Sequence, residues 1–509
     1  MATISKKIRE LLERSAGLAV VAGHKVVPPP EPSLGDLSSN IALVASRQPG
    51  QPPLELAKDL AQKIQSDPSV DKASAAPPGF INITLSKSFL TQALDGALRQ
   101  GYGSNQSAKG KKARVEFVSA NPTGPLHIGN ARGGPLGDTI ANVLSANGYK
   151  VLREYLHNDV GGQVKQFGET IVGKGIQYRG HYIDELRRKI KTNDQEEAGE
   201  QAVELLFSEI MDDCKAMGIR FDKIYKESEF KANQTQRILD KLTLKKKDEA
   251  QWYELTGAQD TVVVRSTGEP TYFANDIAYH DLKFAEGYNL VIDVLGSNHH
   301  GHVPKLQKVI GELGYNVEKF KVVLYQFVRV KRGTEVVKMS KRAGTFVTAR
   351  EVLDEVGKDA FRFFMLLHEP DTHMDFDLEL AKKQSKDNPV YYVQYAIARI
   401  YSILAKIKNQ KSKIKIEELE LDNPKIRQLV LQLIQYPDLV AEAGQTLEVH
   451  HLSHYALKTA GLFHDFYESV PVIKAPEGKR ESRLALAKAT LNVLEHCLGL
   501  LGVSAPQRM

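Results

Sequence analysis

The sequence predicts an α/β protein in which a parallel sheet lies between a small N-terminal α+β unit and an all-helical last third. Three observations carry this. From Ala113 onward short β-rich runs alternate with helical stretches, the pattern that sets strands side by side with helical crossovers between them. After about Asn388 the β-like runs stop, and apolar residues recur at helical spacing in PVYYVQYAIARIYSILAKI and RLALAKATLNVLEHCLGLLG. Between the first unit and the sheet stands GYGSNQSAKGKK (Gly101 to Lys112), small and polar with no apolar periodicity, which is linker chemistry. A chain of 509 residues exceeds what one core supports, and 42% hydrophobic content is ample for several.

Taken in order, the first unit has a helical start, a Pro-rich turn PPPEPSLGD (Pro28 to Asp36), a helix around Leu54 to Gln65 and a strand-like FINITLS (Phe80 to Ser86). The sheet region then reads ARVEFVS, a helix, YKVLREYLHND, further helices, TVVVRST, a helix near Ile277 to Glu286, LVIDVLGS, a helix near Val303 to Leu313, and KVVLYQFVRV. The long polar stretch from about Tyr182 to Asp248 interrupts the alternation and reads as a helical insertion. No internal repeat is evident. The expected domains are 1–106, 107–386 with its insertion at about 165–250, and 387–509.

Composition excludes little. A net charge of +6 and a pI near 8.8 fit a polyanion partner and equally fit an enzyme of small acidic metabolites. The runs KLTLKKK (Lys241 to Lys247) and KIKNQKSKIK (Lys406 to Lys415) are the better candidates for phosphate contact, against the plain alternative of a solvated helix face or loop. Cys214 and Cys497 are the only cysteines, so neither a disulfide framework nor a zinc cluster is expected. No run of about 18 apolar residues occurs, and MATISKKIRELLERSAGLAV has no apolar signal core. A cytoplasmic location without membrane association follows as the expectation.

Two stretches carry chemistry. NPTGPLHIGNARGG (Asn121 to Gly134) sits between the strand-like VEFVS and the helix-like GDTIANVLSANG. In doubly wound sheets ligands bind beyond the carboxyl ends of strands, where helix N-termini offer unpaired N–H groups to phosphates. The stretch lacks the GK[ST] of a P-loop and the G-x-G-x-x-G of a dinucleotide fold. Gly129 allows close approach of a sugar or base, while His127 and Asn130 lie three apart and can project from one side of a first helical turn toward a phosphate. VVKMSKRAGTF (Val336 to Phe346) follows a strand and carries Lys338 and Lys341 in a Gly-ended loop. Two ammonium groups there can stabilise a transferring phosphoryl group or a leaving pyrophosphate. The cluster His299, His300 and His302 has no cysteine or carboxylate beside it in sequence, so contact with a nucleoside is favoured over a metal.

HIGN (His127 to Asn130) and KMSKR (Lys338 to Arg342) resemble, in the right order, the HIGH and KMSKS signatures of class I aminoacyl-tRNA synthetases. EFVSANPTGPLHIGNARGG, REYLHNDVGGQ, PTYFANDIAYHDLKF, GSNHHGHV, DNPVYYVQYAIARI and the terminal GVSAPQRM narrow the resemblance to the arginyl-tRNA synthetase family, over nearly the whole chain. That resemblance implies a Rossmann-like catalytic domain, an N-terminal tRNA-binding domain and a C-terminal all-α anticodon-binding domain. It implies formation of arginyl-adenylate from ATP and arginine with loss of pyrophosphate, then transfer to the 3′-terminal adenosine of the tRNA, which is usually needed even for the first step. His127, Asn130, Lys338 and Lys341 would be catalytic, and Gly124, Gly129, His299, Met339 and Ser340 would join them around ATP. Magnesium would enter with ATP as substrate, with no metal site of the protein's own and no tightly bound cofactor. Asn130 stands where the signature has its second histidine, and its amide can donate a hydrogen bond but cannot carry charge. Arg342 replaces the final serine of KMSKS, and Lys341 is retained although many family members lack it.

A guanidinium is a planar fork of donors, so a selective pocket needs carboxylates and other acceptors around it. Tyr272 and Asp276 lie four apart on one side of a helix start, and by similarity would hold the guanidinium. Glu116, Ser119, Asn121 and His127 would contact the amino-acid end or its surroundings, with Gln163 and Asn158 near the amino-acid and 3′-end pocket. The structural alternatives are a Glu116 paired with a lysine inside the sheet, an Asn121 making a turn and a Tyr272 in the core. For the anticodon, the resemblance points to Tyr392, Tyr395, Arg399 and Met509, with Gln394 between the tyrosines; the alternative is a packed helix face. LGDLSSN (Leu34 to Asn40) fits the family's extra domain, which approaches the outer corner of the tRNA. The expected partners are the tRNA for arginine, ATP and L-arginine, bound by a monomer. A class I synthetase for another amino acid, a nucleotidylyltransferase and a non-catalytic RNA-binding relative are the competing readings. The acidic pair Glu116 and Asp276, the helical last third, and the retained His127, Lys338 and Lys341 argue against them in turn.

Overall fold

The computed structural model describes residues 4–17, 23–46, 51–230, 232–254, 260–337, 347–407, 416, 419–476 and 478–509. In the N-terminal unit, strands β1 (Val26–Val27), β2 (Leu37–Ser39), β3 (Val70–Ala76) and β4 (Phe80–Leu85) form an antiparallel sheet in the order β1-β2-β4-β3. Helices α1 (Ile4–Ser15), α2 (Ile41–Ala45), α3 (Pro53–Ile64) and α4 (Lys87–Ala97) accompany it. The three longer helices are amphipathic by spacing, as in α1, where Ile4, Ile8 and Leu12 form one buried stripe.

The central sheet begins with β5 (Lys112–Phe117), which is followed by α5 (Ile128–Ala131), α6 (Gly133–Ala146) and β6 (Lys150–His157). Helices α7 (Gly162–Ile171), α8 (His181–Lys189) and α9 (Gln195–Ala216) lead to β7 (Lys223–Lys226). After α10 (Ala232–Leu239), strands β8 (Leu244–Lys247), β9 (Ala250–Tyr253) and β10 (Thr261–Val264) make a separate antiparallel sheet. Helix α11 (Tyr272–Ala285), β11 (Leu290–Gly296), α12 (Val303–Glu312) and β12 (Phe320–Tyr325) return to the main sheet, which is all parallel with order β12-β11-β5-β6-β7. The chain runs outward from β5 through β6 to β7 and then restarts on the other side of β5 at β11. The switch point therefore lies between β5 and β11, where such sheets open a crevice.

β5 is covered on both faces, so its alternation separates two chemistries. Ala113, Val115 and Phe117 are apolar and fully buried, while Arg114 and Glu116 are buried on the opposite face. Register places Asp293 of β11 opposite Glu116 and Glu116 opposite Glu154 of β6, so three carboxylates stand in one row. On the apolar face α6 presses so closely that a Cβ on Gly137 would lie 2.3 Å from the Phe117 Cβ.

Strands β13 (Val328–Arg332), β14 (Glu335–Val336) and β15 (Met374–Asp377) form a third small sheet around α13 (Ala349–Met365), and α14 (Leu378–Lys382) precedes the last domain. That domain is α15 (Pro389–Ile407), α16 (Pro424–Ile434), α17 (Tyr436–Thr446), α18 (His450–Ser469) and α19 (Lys479–Leu501). By length and composition α19 could span a membrane, but 72% of its apolar window is buried, as befits the core helix of a bundle. Arg362, fully buried on α13, ties the parts together: it donates to Leu501 O at 2.8 Å, Met217 O at 3.0 Å and the Asp138 carboxylate at 2.6 Å.

Three elements differ from the sequence reading. The stretch from Tyr182 to Asp248 is not helical throughout: after α9 ends at Ala216, β7 adds the edge strand of the main sheet, and beyond the short α10 KLTLKKK contributes β8. Both are lysine-rich, largely exposed edge strands, so apolar alternation is weak there although each is paired along one neighbour. TVVVRST pairs antiparallel in the small sheet rather than joining the main one. KVVLYQFVRV is two strands, broken where Gln326 N bonds Pro370 O, and its second half leaves for β15. Gly137→Ala should push α6 off β5 and lower stability by about 1–3 kcal/mol, measured as a lower denaturant midpoint at unchanged helix content.

Candidate functional site

At the carboxyl ends of β5, β6, β11 and β12 the structure opens a cleft of about 630 Å³. Its first wall is the turn after β5. Val118 and Ser119 have positive φ, 67° and 34°, which reverses the chain sharply and points Ser119 and Asn121 into the cleft. Ser119 Oγ accepts from Leu156 N at 3.1 Å, tying this turn to the end of β6. Asn121 thus makes a turn and also lines the cleft.

His127 is the N-cap of α5. Its Nδ1 accepts from Gly129 N at 3.1 Å and from Asn130 N at 3.3 Å, which places the ring proton on Nε2. The expected pair of side chains projecting together from one helical turn is therefore not what forms: Asn130 lines the cleft, while His127 faces its own helix start. Gly124 and Gly129 lie in the same turn, where a Cβ on Gly129 would come 3.1 Å from the His127 ring. Lys338, Met339, Ser340 and Lys341 lie outside the described residues. The backbone next to them is held at α5, because Ile128 N bonds Val347 O at 3.0 Å and Ala349 N bonds Leu126 O at 2.7 Å.

The floor is electrostatic. Lys283, on α11 and fully buried, donates to Glu116 and to Asp293 (2.7 Å) and lies 3.5 Å from Glu154, over the carboxylate row. Arg114 takes Glu154 from the other side. Burial pushes the Glu116 carboxyl up despite Lys283 beside it. Glu116 therefore lines the floor of the cleft with its carboxylate paired to a lysine inside the sheet, the structural alternative its sequence position allowed. His280 lies between Asp276 (Nδ1 to Oδ1, 3.0 Å) and Asp293 (Nε2 to Oδ2, 2.8 Å). Burial raises and these cations lower the two acids, and the cations win: Asp293 is held at about 2 and Asp276 well below the usual carboxylate range.

Tyr272 and Asp276 both line the cleft from the first turns of α11, as the spacing predicted, and Tyr272 is exposed rather than in the core. His302 donates from Nε2 to Asp276, and His299 lines the wall beyond it. Asn158 lines the cleft, whereas Gln163, at the start of α7, is not among the lining residues. Sequence reading missed Glu227 and Asn275. Glu227 is buried, accepts from Asn158 Nδ2 and Asn275 Nδ2 at 2.8 Å each, and lines the cleft. It follows β7 directly, so recognising β7 as a sheet strand would have placed Glu227 at a carboxyl end. Lysine claims Glu116 and Asp293, and two neutral amides hold Glu227. Glu227 and Asp276 are thus the cleft-lining carboxylates that Lys283 does not hold; Asp276 is paired instead with His280 and His302.

On α15, Tyr395 is exposed and stacks on Tyr391 with ring centroids 6.3 Å apart. Arg399 lies 4.7 Å from the Tyr395 ring centroid and donates to its hydroxyl at 2.9 Å. Tyr392 turns inward onto His464, so for this residue the packed-face alternative holds. Met509 is exposed. In the small sheet, exposed Lys247 stands over Trp252.

Three family models match the chain. Residues 2–85 match the model described as Arginyl tRNA synthetase N terminal domain, 93–185 that of tRNA synthetases class I (R), catalytic domain, and 393–509 that of DALR anticodon binding domain. The chain is 39% identical to an arginine–tRNA ligase of Desulfitobacterium hafniense, over 94% of this chain and 93% of that one. It is also 39% identical to that of Moorella thermoacetica, with the same coverage. Among solved structures, it is similar to a putative arginyl tRNA synthetase from Campylobacter jejuni (28% identity, TM-score 0.75, 84% of this chain and 100% of that one). The fold also matches arginyl-tRNA synthetase of Thermus thermophilus (23% identity, TM-score 0.82, 100% of both chains).

The two carboxylates flanking His280 push it up to about 10, against burial and Lys283, which lower it. The stability this gives is complete below the unfolded value of about 6.5 and is lost as pH rises through the folded one. The denaturant midpoint should therefore fall between neutral pH and about pH 10, and fall less in a His280→Gln protein.

Proposed function

As the chain belongs to the arginyl-tRNA synthetase family, we propose that the cleft at the β5–β11 switch point is where it brings arginine, ATP and the tRNA end together. The chain joins arginine to its tRNA, forming arginyl-adenylate with release of pyrophosphate and passing the arginyl group to the 3′-terminal adenosine. One observation supports the placement above others: Asp276 and Glu227 face the cleft while lysine claims the carboxylates beneath them.

The guanidinium lies between Asp276 and Glu227, with the Tyr272 hydroxyl beside it, and displaces His302 from Asp276. Asn121 and Ser119, on the β5 turn, hold the amino-acid end. An arginine carboxylate oxygen then attacks the α-phosphorus of ATP; the new O–P bond forms as the bond to pyrophosphate breaks. Nε2–H of His127 donates to the α-phosphate as its charge grows, and Lys338 and Lys341 neutralise the departing pyrophosphate. Asn130 adds a neutral amide donor. His299 and Gly129 border the adenosine, with Gly124, Met339 and Ser340 completing the nucleotide site, and magnesium travels with ATP. Tyr395, Arg399 and Met509 receive the anticodon. The reading includes the three domains at 1–106, 107–386 and 387–509, a monomer, and a cytoplasmic enzyme, the last in keeping with two buried free cysteines.

Arginine-dependent ATP–pyrophosphate exchange, run with and without tRNA over a panel of amino acids, tests the whole. Exchange with lysine or cysteine in place of arginine would overturn the placement. Asp276→Asn should raise the arginine KM roughly 10- to 100-fold at an unchanged ATP KM; an unaltered arginine KM removes Asp276 from the guanidinium site. Tyr395→Ala should raise the tRNA KM about tenfold and leave the arginine KM alone in aminoacylation assays.

A further inference from the structure

Asp276 is held from below by a buried side chain. His280 sits one helical turn below Asp276 on α11, with its side chain 2% exposed. Both ring nitrogens are spent on acceptors. Nδ1 meets Asp276 Oδ1 at 3.0 Å and Asp276 O at 2.8 Å, and Nε2 meets Asp293 Oδ2 at 2.8 Å. A neutral imidazole can donate from only one nitrogen, so the ring must be a cation to satisfy both sides. From here a chain of opposite charges runs on through Asp293 and Lys283 to Glu116 and Glu154, and so to Arg114.

We propose that His280 is a positioning residue that sets specificity for arginine: gripped by Asp293 from below, it fixes the Asp276 carboxylate toward the cleft and lets it act as a pure acceptor for a guanidinium. This rests on the assignment of Asp276 to the guanidinium. Without the ring, Asp276 and Asp293 face one another across a buried gap with no cation between them, and one of them takes up a proton. A protonated Asp276 donates as well as accepts. It then binds the uncharged ureido group of citrulline nearly as readily as a guanidinium, and the charge-assisted bond that favours arginine is gone.

The charged and titratable neighbours are few. Lys283 and Tyr279 share α11 with Asp276 and His280, the Tyr279 ring lying edge-on to His280; Asp293 comes from β11, and Glu116 on β5 and Glu154 on β6 lie behind Lys283. His302 and His299 stand beyond Asp276, and β12 presents only the Phe320 ring.

The test is steady-state aminoacylation by the full-length enzyme with its tRNA, with citrulline as competitive inhibitor, across about pH 6.5 to 9. For His280→Gln, arginine KM should rise roughly 10- to 100-fold, with kcat within about threefold and ATP KM unchanged. The ratio of citrulline Ki to arginine KM should fall about tenfold or more. The variant's arginine KM should also fall as pH rises, because the stranded carboxyl ionises, whereas the wild-type value stays level. Asp293→Asn keeps the Asp276 contact but removes the lower grip. Its arginine KM should stay near wild type at neutral pH and rise above about pH 8, as the ring gives up its proton earlier. A His280→Gln enzyme with wild-type arginine KM and citrulline ratio overturns the proposal, and so does one whose arginine and ATP KM values rise together. Asp276→Asn separates the two layers. If it raises arginine KM while His280→Gln does not, only the role of His280 fails; if it too has no effect, the guanidinium assignment fails.

Discussion

One buried ammonium organises the catalytic half of this molecule. Lys283 lies over three carboxylates that three adjacent parallel strands deliver to one row, and it can satisfy them only because the β11–β5–β6 register holds them level. Ions taken out of water cost several kcal/mol each unless they are well paired, and a partner removed from such a set typically costs about 3–5 kcal/mol. The arrangement therefore adds little to the stability of the fold compared with an apolar face of the same shape. It makes the fold intolerant of any other register, since a slip of one residue would turn the whole acidic row to the face occupied by Phe117 and α6.

The same ammonium decides what the cleft can hold. Carboxylates within reach of Lys283 are neutralised and become floor, whereas those at the rim, Asp276 and Glu227, are held by imidazoles and amides that a stronger donor can replace or share. On the proposed placement of the guanidinium, selectivity for a planar cation would arise from the partition of acids between the cleft floor and its rim. The acid count alone does not produce it. The turn after β5 works on the other side of the cleft in the same spirit. Its two strained residues and the His127 cap place backbone and small polar groups beside the cleft.

Much of this was legible from sequence, and the failures have physical causes. NPTGPLHIGNARGG announced itself because glycine, proline and a capping residue between a strand and a helix have few other uses, and YFAND placed Tyr272 and Asp276 on one helical face. What hid was whatever local pattern does not encode. IYK and LKKK pair as strands through backbone bonds while their side chains look like solvated helix, so β7 and the carboxylate behind it, Glu227, went unseen. Glu116 has the right chemistry for a substrate ligand and is claimed by a residue 167 positions away, a fact of tertiary contact. Tyr392 and Tyr395 belong to one aromatic run and both reach His464, and only the tertiary packing of Tyr392 against the core separates the inward ring from the outward one.

Helix α11 carries Tyr272, Asp276, His280 and Lys283 at steps of four, four and three, which is a single stripe along an α-helix. The cleft-lining residues at its top, the imidazole in its middle and the ammonium at its base thus share one rigid rod and one rotational phase. An extra residue anywhere within it would swing everything beyond through about 100° and break all three at once. Extra residues before Thr271 or after Glu286 would leave the stripe in phase. Such a site can change by substitution along the stripe and by lengthening of the loops around it, and the helix itself serves as the fixed ruler against which both kinds of change are measured.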